Sequence, residues 1–296
     1  MNATLPPSSA PADGFEPHRR RLRGLAYRML GSVADAEDVV QDAFLRWLGA
    51  DRASVDDTGA FLSRVVTRLC LDRLKSARAR RETYVGSWLP EPVLDADAFG
   101  GGDAEDAALD MSVALMLALE RLSPLERAAF LLHDVFDASF DEIAATLGRS
   151  PATCRQLAAR ARRNVRSERP RFPVPSEEGE RIARAFRAAA DSGDASALSQ
   201  VLAASVVLTA DGGGRATAVK APLIGREAVV RFFSRLARAP QGSGVIREAR
   251  INGLPGYVTR HADGTLQTTA FEIEDGLITA IHVVRNPDKL AHVPPP

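Results

Sequence analysis

The chain has 296 residues, of which 45% are hydrophobic, and its 38 basic and 38 acidic side chains cancel at neutral pH. This length allows two or three small domains, each with its own core. Its apolar runs are too short to span a bilayer, and residues 1–14 lack a signal-peptide core, which predicts a disordered arm and a cytoplasmic protein. Cys70 and Cys154 lie far apart and indicate neither a disulfide framework nor a zinc site.

Charge is strongly segregated along the chain. Residues 64–81 hold seven basic side chains and one acid, and residues 149–171 hold eight arginines and one glutamate. Residues 82–110 between them hold eight acids and no lysine or arginine. Two basic blocks around an acidic spacer favour two separate contacts with a nucleic acid, although either block alone is equally explained as a solvated helix face.

Residues 15–82 show helical periodicity almost throughout. The stretch DAEDVVQDAFLRW (35–47) places its apolar residues on one stripe and its acids on the other side. The next amphipathic stretch, 59–81, carries the first basic block opposite its apolar face. Both patterns predict helices that each bury one face.

The following stretch, 83–108, breaks this pattern with two prolines, a GGG run and many acids, so it predicts a linker. Its unusual part is SWLPEP (87–92), because tryptophan buries a large area and needs a docking surface. Trp88 packing against its neighbouring helix is the alternative to a contact with another domain.

Residues 109–169 predict a capped helical domain. Capping boxes are expected at Ser123–Glu126 and Ser139–Glu142, and Gly148 is expected to end a helix before a second one over 151–166. Two short helices joined by LGRS form a helix-turn-helix, in which the second helix enters the major groove. Cys154 is expected in its buried stripe. The alternative is a helical hairpin with a merely basic surface.

After the proline-rich stretch 170–177, the pattern changes to short β-rich segments with helices over 178–190 and 226–238, which predicts an α+β domain with a curved antiparallel sheet. The motif DGGGR (211–215) lacks the lysine of a P-loop and the spacing of a dinucleotide loop. Because ATAVK after it predicts a strand, DGGGR is interpreted as a hairpin turn whose glycines supply positive φ.

Taken together, DAEDVVQDAFLRW, the basic helix TRLCLDRLKSARARR and LSPLERAAFLLHDVFDASFDEIAATLGRSPATCRQLAARAR resemble an extracytoplasmic-function (ECF) sigma factor. The motifs YVGSWLPEP, DGGGR and NPDKL (286–290) resemble the SigJ-type subgroup, in which a SnoaL-like domain of the NTF2-like fold follows σ4. The resemblance implies two all-α domains followed by an α+β cone. The implied boundaries are σ2 at 15–82, a linker at 83–108, σ4 at 109–169, a linker at 170–177 and the SnoaL-like domain at 178–296.

This resemblance also implies partners and site residues. The partners are RNA polymerase core and promoter DNA, with no membrane and no need for a separate anti-sigma factor. The residues expected to bind polymerase are Asp35, Asp38, Gln41, Asp42 and Leu45. The residues expected at the minus-ten element are Arg64, Arg68, Asp72, Arg73, Lys75 and Arg78, and those at the minus-thirty-five element are Arg149, Thr153, Arg155, Gln156, Arg160 and Arg163.

The role of the third domain stays open between a regulatory module, a tethered isomerase, cyclase or hydratase, and a cone that binds a small effector. Catalysis would need a base in an apolar cavity, and of Asp211, His261, Asp263 and His282 only His282 is expected to face the interior. We expect no catalytic residue, cofactor or metal. The expected inter-domain contact residues are Trp88, Leu89, Pro90, Asp211, Gly212, Gly213, Gly214, Arg215, Asn286, Pro287 and Asp288.

Overall fold

The computed structural model describes residues 14–82, 84–94, 112–166, 176–238 and 245–296. The expected disordered arm up to residue 13, the acidic linker residues 95–108 and the proline-rich residues 170–175 lie outside the described residues. The described chain forms two compact units. The first contains residues up to 79 and from 118 to 166, and the second contains residues 84–94, 112–117 and everything from 176 onward.

The first unit is helical. Its helices are α1 (Glu16–Leu30), α2 (Val33–Leu48), α3 (Thr58–Glu82), α4 (Val113–Glu120), α5 (Pro124–Phe130), α6 (Phe140–Leu147) and α7 (Pro151–Arg166), with α4 shared between the two units. Gly31 ends α1 at φ 71°, and the side chain of Ser32 caps α2 by accepting from the amide of Asp35. The apolar stripe expected on α2 is buried, and α2 packs against α1.

The helix-turn-helix has the helix boundaries that its capping residues and Gly148 predict. Both capping boxes form, with the glutamate of each reaching back to the serine amide. Gly148 ends α6 at φ 63°, and α7 buries Cys154 with the rest of its apolar stripe. A π-helical turn, Leu131–Val135, which the sequence did not indicate, joins α5 to α6.

The second unit is the expected α+β cone. Its elements are α8 (Ser176–Ser192), α9 (Ala195–Val201), β1 (Leu202–Asp211), β2 (Leu223–Ile224), α10 (Arg226–Leu236), β3 (Val245–Ile251), β4 (Leu254–Arg260), β5 (Leu266–Glu274), β6 (Leu277–Val284) and α11 (Pro287–Leu290). The strands form one sheet in the order β2-β1-β6-β5-β4-β3. The pairings are antiparallel as expected, except that β1 runs parallel to β6.

The two faces of this sheet bury different residues. One face packs against α8 and α10 around Phe186, whose ring lies 5.0 Å from the rings of both Phe233 and Phe271. On the other, outer face, Val258, Ala270 and Val284 pack against linker and C-terminal residues. Because side chains alternate along a strand, each strand contributes to both cores.

Two expectations about this domain are wrong. ATAVK (216–220) is not a strand, so DGGGR is not the turn of a hairpin, although Gly213 and Gly214 do adopt positive φ of 58° and 71°. The segment after DGGGR crosses irregularly to β2, which pairs with β1 through only two residues. The helix α9, which Asp194 caps, was not predicted because its seven residues are too few for a clear period.

The capping box at Ser139 yields a stability prediction. Ser139→Ala should lower the free energy of unfolding of the helix-turn-helix by about 1 kcal/mol, because the amide of Glu142 loses its acceptor. Thermal denaturation followed by circular dichroism would measure this. Ser139→Asp should keep most of the stability, since aspartate also caps. An unchanged melting temperature for the alanine variant would contradict the assigned cap.

Candidate polymerase, promoter and linker-binding sites

The acidic row on α2 is engaged by a single arginine of α3. The guanidinium of Arg73 lies 3.2 Å from Asp35, 3.4 Å from Asp38 and 3.3 Å from Asp42. The structure therefore brings three of the residues expected to bind polymerase together with one expected to bind DNA. Leu45, on the same helix, is 57% exposed and adds an apolar element to this surface.

The basic helix α3 contacts the helix-turn-helix. Arg68 donates to the carbonyls of Ala145 and Thr146, at 2.9 and 3.2 Å, near the C-terminus of α6. These carbonyls carry the negative end of the helix dipole, so a guanidinium is stabilised there. Arg64 lines a cavity of about 270 Å³ in the same area, together with Glu142.

Of the remaining residues expected at the minus-ten element, two form an exposed ion pair and one lies outside the described side chains. Lys75 and Asp72 form an exposed ion pair of 2.8 Å, three residues apart on α3. Such an exposed pair contributes little stability, so the lysine is available to a phosphate at small cost. Arg78 belongs to the part of α3 whose side chains lie outside the described residues.

The exposed face of α7 carries the residues expected to read the minus-thirty-five element. Arg155, Gln156, Arg160 and Arg163 are all exposed, and the side chain of Thr153 bonds that of Ser150 at 2.9 Å. Arg160 lies 3.1 Å from Glu126. Arg149 precedes α7 and donates to the carbonyl of Gly148. The described geometry thus places the whole expected set on or beside one exposed helix.

Asp211 is the centre of the linker-binding site. Its carboxylate has no exposed surface, and it accepts from the hydroxyl of Tyr84 at 2.6 Å, the amide of Leu89 at 2.8 Å and the ammonium of Lys289 at 2.8 Å. It also accepts from the amide of Gly213 at 3.0 Å. We call Asp211, Tyr84, Leu89, Asn286 and Lys289 the Asp211 clasp. It joins three segments that are far apart in the chain.

Aromatic rings enclose the cation of the clasp. The ammonium of Lys289 lies 4.3 Å from the centre of the Trp88 ring and 5.0 Å from that of Tyr84, and it also donates to the carbonyl of Leu89. Asn286 donates to the hydroxyl of Tyr84 at 2.9 Å. Burial and then the neighbouring Asp211 raise the pKa of Tyr84, so its hydroxyl stays a donor at neutral pH.

The glycines of DGGGR leave room for the clasp. A side chain at Gly213 would overlap the amide of Asn286, and one at Gly214 would press on Val85 of the linker at 3.2 Å. At Gly212 it would meet the carbonyl of Ala216. Arg215 lies outside the clasp, in an exposed ion pair of 3.2 Å with Asp288.

The linker continues from the clasp along the outer face of the sheet. The amide of Asn252 donates to the carbonyl of Val93 at 2.7 Å, and the amide of Val93 donates to the side-chain oxygen of Asn252 at 3.0 Å. Leu94 forms an antiparallel bridge with Ile251 at the end of the edge strand β3. The carbonyl of Pro92 lies 2.8 Å from His292, so the C-terminal segment contacts the linker as well.

Of the four catalytic candidates, Asp211 lies in the clasp, and the other three make local hydrogen bonds. His282 was expected to face the interior, but it lies on the outer face with Val284, because Ile281 and Val283 occupy the interior face. Its imidazole bonds Glu272 at 2.9 Å. Asp263 accepts from the amide of Thr265 two residues on, which lowers its pKa.

No cluster of three metal-binding side chains occurs among the described residues, and His261 bonds Gln267 at 3.2 Å. A cavity of about 480 Å³ lies between α8 and strands β3 and β4, at the rim of the cone. Its arginines Arg184 and Arg187 pair with Glu248 and Asp191 respectively.

Sequence reasoning missed Tyr84, Lys289, Asn252 and His292 as contact residues, and it included Arg215, Pro287 and Asp288, which lie at the margin. Tyr84 and Lys289 lie within the quoted motifs YVGSWLPEP and NPDKL, and this was the available signal for them. Asn252, with φ of 50°, was visible only as the first residue of an Asn-Gly turn.

Comparison with known proteins identifies two regions of the chain. Residues 15–80 match the model of sigma-70 region 2, and residues 112–165 match that of sigma-70 region 4. The chain is 41% identical over 292 residues to the ECF RNA polymerase sigma factor SigJ of Mycobacterium tuberculosis, covering 95% of this chain and 93% of that protein. It is 37% identical to the probable ECF RNA polymerase sigma factor SigI of the same species, covering 92% of each.

A solved structure extends this similarity to three dimensions. The crystal structure of Mycobacterium tuberculosis SigJ matches with a TM-score of 0.72 and 36% identity, covering 95% of this chain and 98% of that one. The similarity therefore includes the C-terminal cone. Among the residues that the structure describes, no helix is long and apolar enough to cross a membrane.

The Asp211 clasp predicts a local change on mutation. Asp211→Asn should increase hydrogen exchange at the amides of Leu89 and Val93 about 10- to 100-fold, because the substitution removes charge-assisted hydrogen bonds and leaves Lys289 without its carboxylate. Mass spectrometry of the full chain would measure this. Asp288→Asn, which breaks only an exposed ion pair, is the matched control and should leave exchange unchanged. Equal exchange in the two variants would contradict the clasp.

Proposed function

We infer from the Asp211 clasp how this protein, which belongs to the ECF RNA polymerase sigma factor family, is controlled. As a sigma factor it binds RNA polymerase core and promoter DNA. Its fused SnoaL-like domain holds residues 84–94 of the linker between σ2 and σ4, and so limits how these two domains engage the promoter. The observation that carries this inference is the buried carboxylate of Asp211, which binds the linker through Tyr84 and Leu89.

Within the sigma domains, the acidic surface on α2 docks on polymerase. Asp38, Gln41 and Asp42 line one side of a rigid helix, with the exposed Leu45 beside them. An acidic row suits a basic partner and would repel DNA. Arg73 now occupies part of this row, so docking replaces its ion pairs with those of polymerase.

The basic helix α3 binds and helps to open the minus-ten element, and α7 reads the minus-thirty-five element. Arg155 and Gln156 near the start of α7 can each form two hydrogen bonds with one base in the major groove. Arg68 is held by the carbonyls of Ala145 and Thr146, so its binding to DNA requires that α3 separate from α6.

Linker length explains how the cone exerts control. The two promoter elements lie about 25 base pairs apart, or about 85 Å along the duplex. The linker connects the two domains that bind them, and an extended segment as long as 84–94 reaches about 36–40 Å. Holding this segment on the cone fixes the distance and direction between its ends, so σ2 and σ4 reach both elements in more arrangements when the clasp opens. A sigma factor controlled in this way needs no separate anti-sigma factor.

The alternative, a ligand-binding or catalytic cone, has less support. The rings of Phe186, Phe232, Phe233, Phe271 and Tyr257 fill the interior, with centroids 5.0–5.7 Å apart. In that alternative, the cavity of about 480 Å³ between α8 and strands β3 and β4 is a place where an effector would bind. We propose that the domain has no catalytic activity of its own.

The transcription test uses the full chain with core polymerase at a cognate promoter. Asp211→Asn should raise run-off transcription several-fold, because the released linker extends the reach of the tether. Tyr84→Phe removes the 2.6 Å hydrogen bond to Asp211 and the 2.9 Å one from Asn286 but keeps the buried charge pair, so it should raise transcription by less. Asp288→Asn is the reference for an intact clasp. A chain ending after residue 169 is the reference for an absent clasp. Equal transcription by all of these proteins would contradict the proposed regulatory function of the cone.

The docking surface has its own test. Gln41→Ala combined with Asp42→Ala should weaken binding to core polymerase at least about tenfold while the melting temperature stays within a few degrees. Asp56→Ala removes an exposed acid outside α2 and is the control for net charge. Binding is measured by fluorescence anisotropy of labelled sigma factor. Unchanged affinity for the double variant would show that polymerase docks elsewhere.

A further inference from the structure

Two contacts of one aromatic ring support an arginine of the recognition helix. The guanidinium of Arg155 lies over the ring of Phe140, 5.3 Å from its centre. Phe140 also packs against the imidazole of His133, with ring centroids 4.1 Å apart and planes inclined by 34°. Phe140 is the first residue of α6, and Arg155 lies in the second turn of α7, so their contact connects the two helices of the helix-turn-helix.

Local backbone structure fixes the position of the His133 imidazole. The π-helical turn Leu131–Val135 ends with the amide of Phe136 bonded to the carbonyl of Leu131, and Asp137 then adopts a positive φ of 55°. This path brings the carbonyl of Ala138 within 3.0 Å of the His133 ring nitrogen, which holds the imidazole against Phe140. A π-turn inserts one residue into a helix and so redirects side chains, and such turns are frequent at functional sites.

The position of Phe140 is not that of an ordinary core residue. Its ring is only partly buried, whereas Ile143, one turn later on α6, is fully buried in the core. Arg155 is exposed and lies beside Gln156 on the face expected to meet DNA. An aromatic ring that stays accessible and faces an arginine contributes more to orienting that arginine than to the core.

We propose that Phe140 is a positioning residue, which sets the sequence specificity of the minus-thirty-five contact by holding the Arg155 guanidinium for one guanine. A guanidinium stacked on an aromatic ring loses few of its hydrogen bonds, because its N–H groups lie in its own plane and stay free at the edge. A bidentate contact with the O6 and N7 atoms of guanine needs that edge in a fixed orientation. Restricting Arg155 before binding also lowers the entropy cost of forming the contact.

Substitutions at positions 140 and 155 separate the contribution of the aromatic ring from that of the guanidinium. Leucine at position 140 keeps an apolar side chain but has no π face, whereas tyrosine keeps the face. Lysine at position 155 keeps the charge but loses the planar fork. This inference rests on the proposed function, since it requires that Arg155 read a base.

The experiment measures promoter selection by the full chain with core polymerase, using a library in which the upstream element is randomised. Arg155→Ala should reduce the preference for guanine at one position at least about fivefold. Phe140→Leu should reduce it about threefold at the same position only, and Phe140→Tyr should retain it. In the Arg155→Ala background, Phe140→Leu should cause no further loss of preference, because Phe140 acts through Arg155. Melting temperatures of all variants serve as the folding control.

The outcomes separate the two claims. If Arg155→Ala alters no base preference, the assigned reading of the minus-thirty-five element by Arg155 fails, and the positioning role fails with it. If Arg155→Ala alters one position but Phe140→Leu does not, only the positioning role is overturned. A Phe140→Leu variant that binds every sequence more weakly by the same factor would also overturn it, because that result indicates general packing or phosphate contact.

Discussion

The structure depends on a carboxylate that water does not reach. Asp211 is fully buried, and moving such a charge out of water costs several kcal/mol unless other groups compensate. The hydroxyl of Tyr84, the amide of Leu89, the amide of Gly213 and the ammonium of Lys289 provide that compensation. Since two of these donors belong to the linker, Asp211 is fully satisfied only while the linker is bound.

The same logic applies to Lys289. Its ammonium is nearly buried between the rings of Tyr84 and Trp88, and both rings are contributed by the linker. Removing the linker therefore exposes the cation and the carboxylate to water together, and their ion pair is then weakened by the high dielectric constant. The linker and the clasp stabilise each other, so binding of the linker is expected to be cooperative rather than gradual.

Intramolecular partners also hold the cations of the sigma domains. Arg73 bridges three aspartates of α2, and Arg68 binds carbonyls of α6. These contacts are partly exposed, and contacts of this kind are weak in water, so phosphates or polymerase can replace them. In the function proposed above, polymerase and DNA replace these contacts, and a surface that must exchange partners binds poorly to a site that offers only some of the new contacts.

Most of the secondary structure could be predicted from residues that lie close together in the sequence. The remaining features depend on contacts between residues far apart in the chain. Ser139, Glu142 and Gly148 act within one or two turns of a helix, so their roles follow from spacing alone. The face on which His282 lies depends on which element covers each side of the sheet. The parallel pairing of β1 with β6 likewise depends on strands about seventy residues apart. Neither the face of His282 nor the parallel pairing can be inferred from the neighbouring residues in the sequence.

The triple glycine shows how a local signal and a distant contact combine. Positive φ at Gly213 and Gly214 explains two glycines by turn geometry alone, but Gly212 does not have positive φ. What the three share is that a Cβ atom at each would meet a neighbour: Ala216 at the first, Asn286 at the second and Val85 at the third. Two of these neighbours belong to NPDKL and to the linker motif. DGGGR is therefore glycine-rich because other segments approach its backbone closely, and those segments are the ones that complete the Asp211 clasp.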